Sequence, residues 1–175
     1  MYELMRPLRE QPALSRLNQP APRSRRNRAE QMSASATIVP PGGGRQVQVG
    51  PNTLLVKASL ETGHTQVGVF ESTMPPGGGF PFGHVHQDWE EVFYVLEGEI
   101  EYRLGEAWVP APAGSTVCVP PGVVHAFRNS GQHPARHLVV HAPAAGLQAV
   151  EELGQAPREQ WDEILARYNS QLIGS

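Results

Sequence analysis

Four side chains near the middle of the chain have the types and the spacing that could hold a metal ion. His84 and His86 are two residues apart, so on an extended strand both imidazoles project from the same face. Glu91 follows a short turn, and His125 follows a Pro-Pro-Gly turn that can deliver it from a neighbouring strand. Three imidazoles and one carboxylate suit a first-row divalent metal better than calcium or magnesium, which prefer oxygen ligands. We predict one divalent transition metal (Fe, Mn, Ni, Co, Cu or Zn) bound by His84, His86, Glu91 and His125.

The other histidines and the single cysteine are given different roles. Cys118 is alone, which excludes an internal disulfide and a thiolate cluster, and it is expected to be a small buried residue. His64, His133 and His137 fall near turns or strand ends, where we expect them in solvent. His141 lies in an apolar strand and could face either side of a sheet.

Two further glutamates need a separate assignment. Glu90 could replace its neighbour Glu91 as a ligand, but period-2 alternation places Glu91 on the same face as Phe93, so Glu90 is expected to face solvent. Glu71 could reach an interior cavity or lie exposed, and the pattern leaves both open. Tyr102 and Glu71 are the candidates for a second general acid.

Short strand-like runs separated by glycine and proline must position these side chains. They cover residues 53–59, 66–73, 92–96, 99–104, 115–119, 126–129 and 137–142. Ile100 and Tyr102 alternate with charged residues, which indicates a strand with one buried face. Glu97-Gly98 predicts a tight reversal, so an antiparallel sandwich or barrel is expected. After residue 144 the apolar spacing becomes helical, which predicts two short C-terminal helices.

Composition and charge exclude several function classes. With 18 glycines and 17 prolines among 175 residues, a long-helix architecture is not expected. Residues 1–36 hold seven arginines without a periodic apolar face, and we predict a disordered tail there. The rest of the chain is acidic, which disfavours nucleic acid as a partner. No apolar run approaches the length of a membrane span, so we predict a soluble, cytoplasmic protein without a membrane partner.

Two motifs around the candidate ligands resemble the signatures of the cupin superfamily. The first runs Gly78-x5-His84-x-His86-x4-Glu91-x6-Gly98, and the second runs Gly114-x5-Pro120-x-Gly122-x2-His125-x3-Asn129. The one small departure is Ser115, where many relatives carry Asp. The resemblance implies an all-β, antiparallel jelly-roll barrel at residues 37–144 with the metal inside, a helical segment at 145–175, and a homodimer. The short single domain is most similar to the group called quercetin dioxygenase-like.

The predicted interior indicates the kind of substrate that the site could bind. Alternation assigns Phe93, Tyr102 and Phe127 to an apolar pocket beside the metal, and Phe82 is expected at the mouth of this pocket. Such walls suit a small aromatic or enol-type molecule. The resemblance implies a metal-dependent oxygenase as the first interpretation. The alternatives are a non-oxidative cyclase or isomerase that resembles polyketide cyclases, and a metal-stabilised binding protein without turnover. Glu91 is the predicted catalytic residue, acting both as a ligand and as the base that removes a hydroxyl proton.

Overall fold

Eleven strands and two short helices make up the part of the chain that the computed structural model describes, residues 36–64 and 66–174. In chain order the strands are β1 Arg45–Val49, β2 Asn52–Ala58, β3 Gly68–Met74, β4 Gly79–His86, β5 Glu90–Glu97, β6 Glu99–Leu104, β7 Ala107–Pro112, β8 Thr116–Val119, β9 His125–Arg128, β10 Ala135–Ala142 and β11 Ser170–Leu172. The helices are α1 Ala145–Gln155 and α2 Trp161–Arg167, with 3₁₀ turns at Leu60–Thr62 and Arg158–Gln160.

The strands form two antiparallel sheets that face each other. The six-stranded sheet has the order β1-β2-β3-β10-β5-β8, and the five-stranded sheet has the order β11-β4-β9-β6-β7. Every second residue of β3 and β10 is buried, and the apolar side chains among them, Phe70, Met74, Ala135 and Val139, form one core with Ile100 and Tyr102 of β6. The predicted alternation in β6 is therefore confirmed, as is the all-β antiparallel fold with short C-terminal helices.

Two cross-strand pairs bring the candidate site together. His84 of β4 lies directly opposite His125 of β9 in the five-stranded sheet. Glu91 of β5 lies directly opposite His141 of β10 in the six-stranded sheet. Residues opposite each other in an antiparallel pair point to the same face. Since the two sheets face each other, both pairs point into the space between them.

The two helices cover one side of the barrel. Helix α1 packs on β1, β3 and β10, and its apolar residues Leu147 and Leu153 are buried. The ring of Trp161, at the start of α2, stacks on Phe80 of β4 with their centroids 5.5 Å apart. Pro157 lies ahead of α2, at the start of the 3₁₀ turn Arg158–Gln160. The C-terminal segment also supplies β11, which pairs with β4 and was not predicted.

Strands β1 and β7 and the first part of β4 were not among the predicted strand-like runs, although His84 and His86 were expected on an extended strand. Strand β4 reads GFPFGHVH and is irregular between Phe80 and His84. Strand β7 contains two prolines, which it tolerates because it lies at the edge of its sheet. Strand β1 is a short polar edge strand. Cys118 is exposed on the edge strand β8, so the prediction that it is buried was wrong.

The described residues bear only in part on the predicted tail and on the predicted absence of a membrane span. The tail predicted to be disordered, residues 1–36, lies almost entirely outside the described residues. Among the residues that are described, no helix is long and apolar enough to cross a membrane.

Candidate metal centre

The predicted ligands converge between the two sheets. One ligand atom from each of His84, Glu91 and His125 lies within 4.8 Å of the other two. Oε2 of Glu91 is 2.9 Å from Nε2 of His125 and 3.3 Å from Nε2 of His86. The structure therefore brings all four residues of the predicted set together, and their role as metal ligands stays a prediction.

Backbone carbonyls fix the orientation of each imidazole in this set. A carbonyl oxygen can only accept a hydrogen bond, so the Nδ1 atom near it must carry the proton and donate. The donors and acceptors are Nδ1 of His84 to Phe82 O (3.0 Å), Nδ1 of His86 to Trp89 O (2.8 Å), and Nδ1 of His125 to Val123 O (3.0 Å). This arrangement leaves the three Nε2 atoms as the ligating nitrogens, as in metal sites where the other ring N–H is tied to the protein.

The charges at the centre fit a cation. Burial alone raises the pKa of the Glu91 carboxyl, but the neighbouring imidazoles, led by His141, outweigh burial and hold that pKa well below its usual range. Burial, assisted by the nearby His125, lowers the pKa of His84 to about 3, so this imidazole is neutral. A neutral imidazole whose Nε2 lone pair faces a carboxylate oxygen is repelled unless a cation or proton lies between them. The donor set therefore suits a divalent metal.

His141 is a fifth polar side chain at the centre, and the sequence analysis did not include it in the site. Its Nε2 atom lies 2.7 Å from Oε1 of Glu91, and the residue is 1% exposed. The structure resolves its orientation, which the sequence left open, in favour of the interior. Alternation requires His137, Val139 and His141 to share one face of β10, but it does not decide which face of the strand lies inside.

An apolar cavity adjoins the metal centre. Its wall includes aliphatic side chains of β1, β2, α1 and α2, and the rings of Phe70, Phe80, Phe93 and Phe127. Phe93 and Phe127 thus line the cavity, as the sequence analysis expected.

The other two predicted pocket residues do not line this cavity. Phe82 is 41% exposed, because the irregular stretch of β4 turns it outward against Arg158 and Trp161. Tyr102 is buried behind Phe93 and Phe127, so its ring does not reach the cavity surface. The assignment of Tyr102 to the pocket wall and of Phe82 to the pocket mouth is corrected accordingly.

His137 was expected in solvent, and that expectation was wrong. The residue is fully buried and lines the cavity, with Nδ1 2.9 Å from the Tyr102 hydroxyl. The other histidines outside the centre, His64 and His133, are exposed as expected. Glu90 is exposed as predicted, and Glu71 lies on the outer face of the sheet, paired with Lys57 at 3.2 Å and Arg136 at 2.8 Å.

Comparison with protein families finds one match, which lies within the barrel. Residues 70–141 match the family model described as the cupin domain. This stretch contains all four predicted ligands and His141. The match supports a cupin domain at these residues, and the antiparallel double sheet agrees with it.

Known relatives of the chain cover several activities. Protein SchB of Streptomyces halstedii is 36% identical over 80 residues, which are 46% of this chain and 56% of that protein. Glucose-6-phosphate isomerase of Pyrococcus horikoshii is 29% identical over 100 residues, 53% of this chain and 51% of that protein. The chain spans about half the length of these curated relatives. The structure of the polyketide cyclase RemF from Streptomyces resistomycificus has a TM-score of 0.55 at 23% identity, covers 62% of this chain and 80% of that one, and shows a shared fold.

Proposed function

We propose that this cupin is a metal-dependent enzyme that acts on a small aromatic or enol-type substrate. The observation that carries the proposal is the set of Nε2 atoms of His84, His86 and His125 around the carboxylate of Glu91, at the wall of an apolar cavity. A bound divalent transition metal would supply Lewis acidity toward a substrate oxygen and, if redox-active, reactivity toward dioxygen.

Glu91 is the residue proposed to move a proton. Its carboxylate is ionised at neutral pH because the surrounding imidazoles lower its pKa, and an ionised carboxylate can both ligate a cation and accept a hydroxyl proton. Oε1 is held by His141 and Oε2 faces the imidazoles of His86 and His125. The proposed base is thus fixed in place before substrate arrives.

The cavity wall supports the proposed substrate class. No lysine or arginine of the described residues lines it, so it offers no cationic group to a phosphate or free carboxylate. Aromatic rings and aliphatic side chains make up most of the surface, and they favour a flat apolar molecule. A sugar phosphate, as named for the isomerase relative, is a poor match to this wall.

The first candidate reaction is an oxygenation, as in the group of quercetin dioxygenase-like cupins. The apolar cavity beside the four protein side chains supports it, because its aromatic and aliphatic wall favours an enolised aromatic molecule next to the metal. The second candidate is a non-oxidative cyclisation or isomerisation. It is favoured by the relatives whose names describe an isomerase and a polyketide cyclase.

Metal analysis combined with oxygen uptake tests these candidates. The protein is purified without chelator or His tag, its bound metal is measured, and metal-free protein is reloaded separately with each of the six predicted metals. Each form is assayed with a flavonol such as quercetin and with 1,3-dihydroxynaphthalene, in air and under nitrogen. Substrate-dependent oxygen uptake supports the oxygenase, and turnover of the zinc form under nitrogen supports the cyclase or isomerase.

Matched histidine variants make the metal test specific. His84→Ala is expected to abolish stoichiometric metal binding, whereas His133→Ala changes an exposed imidazole and is expected to leave it intact. Equal metal content in both variants would contradict the proposed site. A metal-loaded protein without turnover on any enolisable aromatic would contradict the enzyme and leave the binding-protein alternative.

We also propose that the chain forms a homodimer. Tyr94 and Leu96 point outward from β5 and are 45% and 39% exposed, which leaves an apolar strip on the outer face of the six-stranded sheet. Sedimentation or light scattering would give about twice the 19.1 kDa mass of one chain for a dimer. The chain mass itself would contradict it.

A further inference from the structure

A second polar contact joins the two sheets inside the barrel, away from the metal centre. Tyr102 belongs to β6 of the five-stranded sheet and His137 belongs to β10 of the six-stranded sheet, and their side chains meet at 2.9 Å. His137 is four residues from His141 along β10, or about 13 Å at the usual rise per strand residue. The rings of Phe93 and Phe127 lie beside His137 and also line the cavity.

The partner of His137 determines which of its nitrogens carries the proton. Among residues 36–64 and 66–174, the Tyr102 hydroxyl makes one hydrogen bond, and that bond is to Nδ1 of His137. If Nδ1 were the donor, the buried hydroxyl hydrogen would have no acceptor there, at the cost of an unsatisfied buried donor. Tyr102 therefore donates to Nδ1, and the proton of the neutral ring is on Nε2.

The charges of both groups agree with this assignment. Burial, with a smaller effect of the Glu91 charge, raises the pKa of the Tyr102 phenol above its usual range, so its proton is retained at neutral pH. Burial lowers the pKa of His137 to about 4, so the imidazole is neutral.

Nε2 of His137 is a buried polar atom without a hydrogen-bond partner among the described residues. The side chain is fully buried and its ring forms part of the cavity wall. Ser72 lies directly opposite His137 on β3, is itself buried, and lines the same part of the cavity. An unpaired N–H donor in an apolar cavity is costly unless a ligand supplies an acceptor.

We propose that His137 is a substrate-binding residue whose Nε2–H, held in that tautomer by Tyr102, donates a hydrogen bond to an acceptor oxygen at the end of the substrate remote from the metal centre. The preferred substrate thus carries two oxygen functions on an apolar frame, one directed at the metal centre and one carbonyl or ether oxygen directed at His137. The inference rests on the proposed function, which it extends by naming this second recognition group.

Nuclear magnetic resonance tests the tautomer without metal or turnover. Multiple-bond ¹H–¹⁵N spectra of the metal-free, ¹⁵N-labelled protein separate protonated from unprotonated ring nitrogens, and the His137 signals are assigned by their loss in His137→Gln. A single Nε2–H tautomer is the expected result, and Tyr102→Phe is expected to produce a mixture of the two forms. A dominant Nδ1–H form, or an imidazolium at neutral pH, would overturn the proposal even if the metal centre is correct.

A matched pair of catechols tests recognition in the zinc-loaded protein. 3,4-Dihydroxyacetophenone and 4-isopropylcatechol have the same two metal-binding hydroxyls and a ring substituent of similar shape. Only the acetyl group of the first compound has an acceptor oxygen. The wild type is expected to prefer the ketone about three- to tenfold more than His137→Phe does, the effect of one net hydrogen bond.

Two additional variants keep the binding test decisive. Tyr102→Phe is expected to reduce the ketone preference, and Ser72→Ala is expected to retain it. Loss of the preference in Ser72→Ala with full retention in His137→Phe would overturn the proposal, as would equal preference in all variants. If the protein binds no zinc at all, the proposed function fails, and the tautomer measurement still decides the role of His137.

Discussion

Oε1 of Glu91 lies 2.7 Å from Nε2 of His141, and the two residues face each other across adjacent antiparallel strands β5 and β10. The other oxygen, Oε2, points to His125 and His86 of the opposite sheet. The two oxygens of this carboxylate therefore have different partners. One oxygen is anchored within its own sheet, and the other is available to the imidazoles across the barrel.

His141→Ala should weaken metal binding without removing a predicted ligand. Loss of the group that orients a ligating carboxylate commonly costs ten- to a hundredfold in metal affinity, and we expect a decrease of about that size for zinc. Titration against a chromophoric chelator measures it. The control is His133→Ala, which removes an exposed histidine, and equal zinc affinity in the two variants would show that His141 does not position Glu91.

Glu91→Gln separates metal binding from proton transfer. Glutamine keeps an oxygen that can ligate and nearly the same shape, but it cannot accept a proton at neutral pH. We expect the variant to retain bound metal and to lose about a hundredfold or more in kcat. Full activity at full metal occupancy would mean that Glu91 is a ligand and not the base.

Gly146 should not tolerate a side chain, although it lies in a helix. A Cβ there would lie 2.8 Å from Cγ and Cδ1 of Trp89 and 2.9 Å from Nδ1 of His141. Gly→Ala in an unhindered helix stabilises by up to about 1 kcal/mol, whereas overpacking costs about 1–3 kcal/mol. We expect Gly146→Ala to lower the free energy of unfolding and to weaken zinc binding by displacing His141.

Urea unfolding and zinc titration check this prediction on the glycine. Gln148→Ala is the control, because Gln148 is exposed on the same helix and its loss should change neither quantity. An unchanged or raised stability of Gly146→Ala would show that the helix shifts freely away from the barrel.

The ion pairs of Glu71 should contribute to stability at neutral pH and not in acid. Burial raises the pKa of Glu71, but Arg136 and Lys57 outweigh burial and lower this pKa below its usual value of 4.5. A carboxyl whose folded pKa is depressed stabilises the fold above its unfolded pKa, and this contribution is lost as the pH falls through the folded value.

Glu71→Gln is therefore expected to lower the free energy of unfolding at pH 7 by about 0.5–1 kcal/mol. The difference from the wild type should shrink as the pH falls below 4.5 and the wild-type carboxyl becomes protonated. Glu90→Gln, at an exposed position, serves as the control and should show a smaller effect. A difference that is independent of pH would rule out this ionic origin.

Local spacing was enough to predict part of the site. The H-x-H pair on one strand and a glutamate after a short turn depend on contacts close in sequence, and the structure brings them together as expected. His125 is distant in sequence, and the second motif located it.

The orientation of β10 could not be predicted because both of its faces are apolar. Alternation requires His137 and His141 to share a face with Val139, while Leu138 and Val140 form an equally apolar opposite face. Sequence alone did not decide which face lies inside. The register with β5, which sets His141 opposite Glu91, is a long-range pairing that the local pattern does not contain.

The distribution of the predicted ligands over the two sheets has a thermodynamic consequence. His84, His86 and His125 come from the five-stranded sheet and Glu91 from the six-stranded sheet, so the complete donor set exists when the two sheets are packed together. Metal affinity and the stability of the sheet-to-sheet interface are therefore linked quantities. Free metal at a hundred times its dissociation constant would add about 2.7 kcal/mol to the free energy of unfolding, so heat resistance of this barrel would depend on the metal supply of its surroundings.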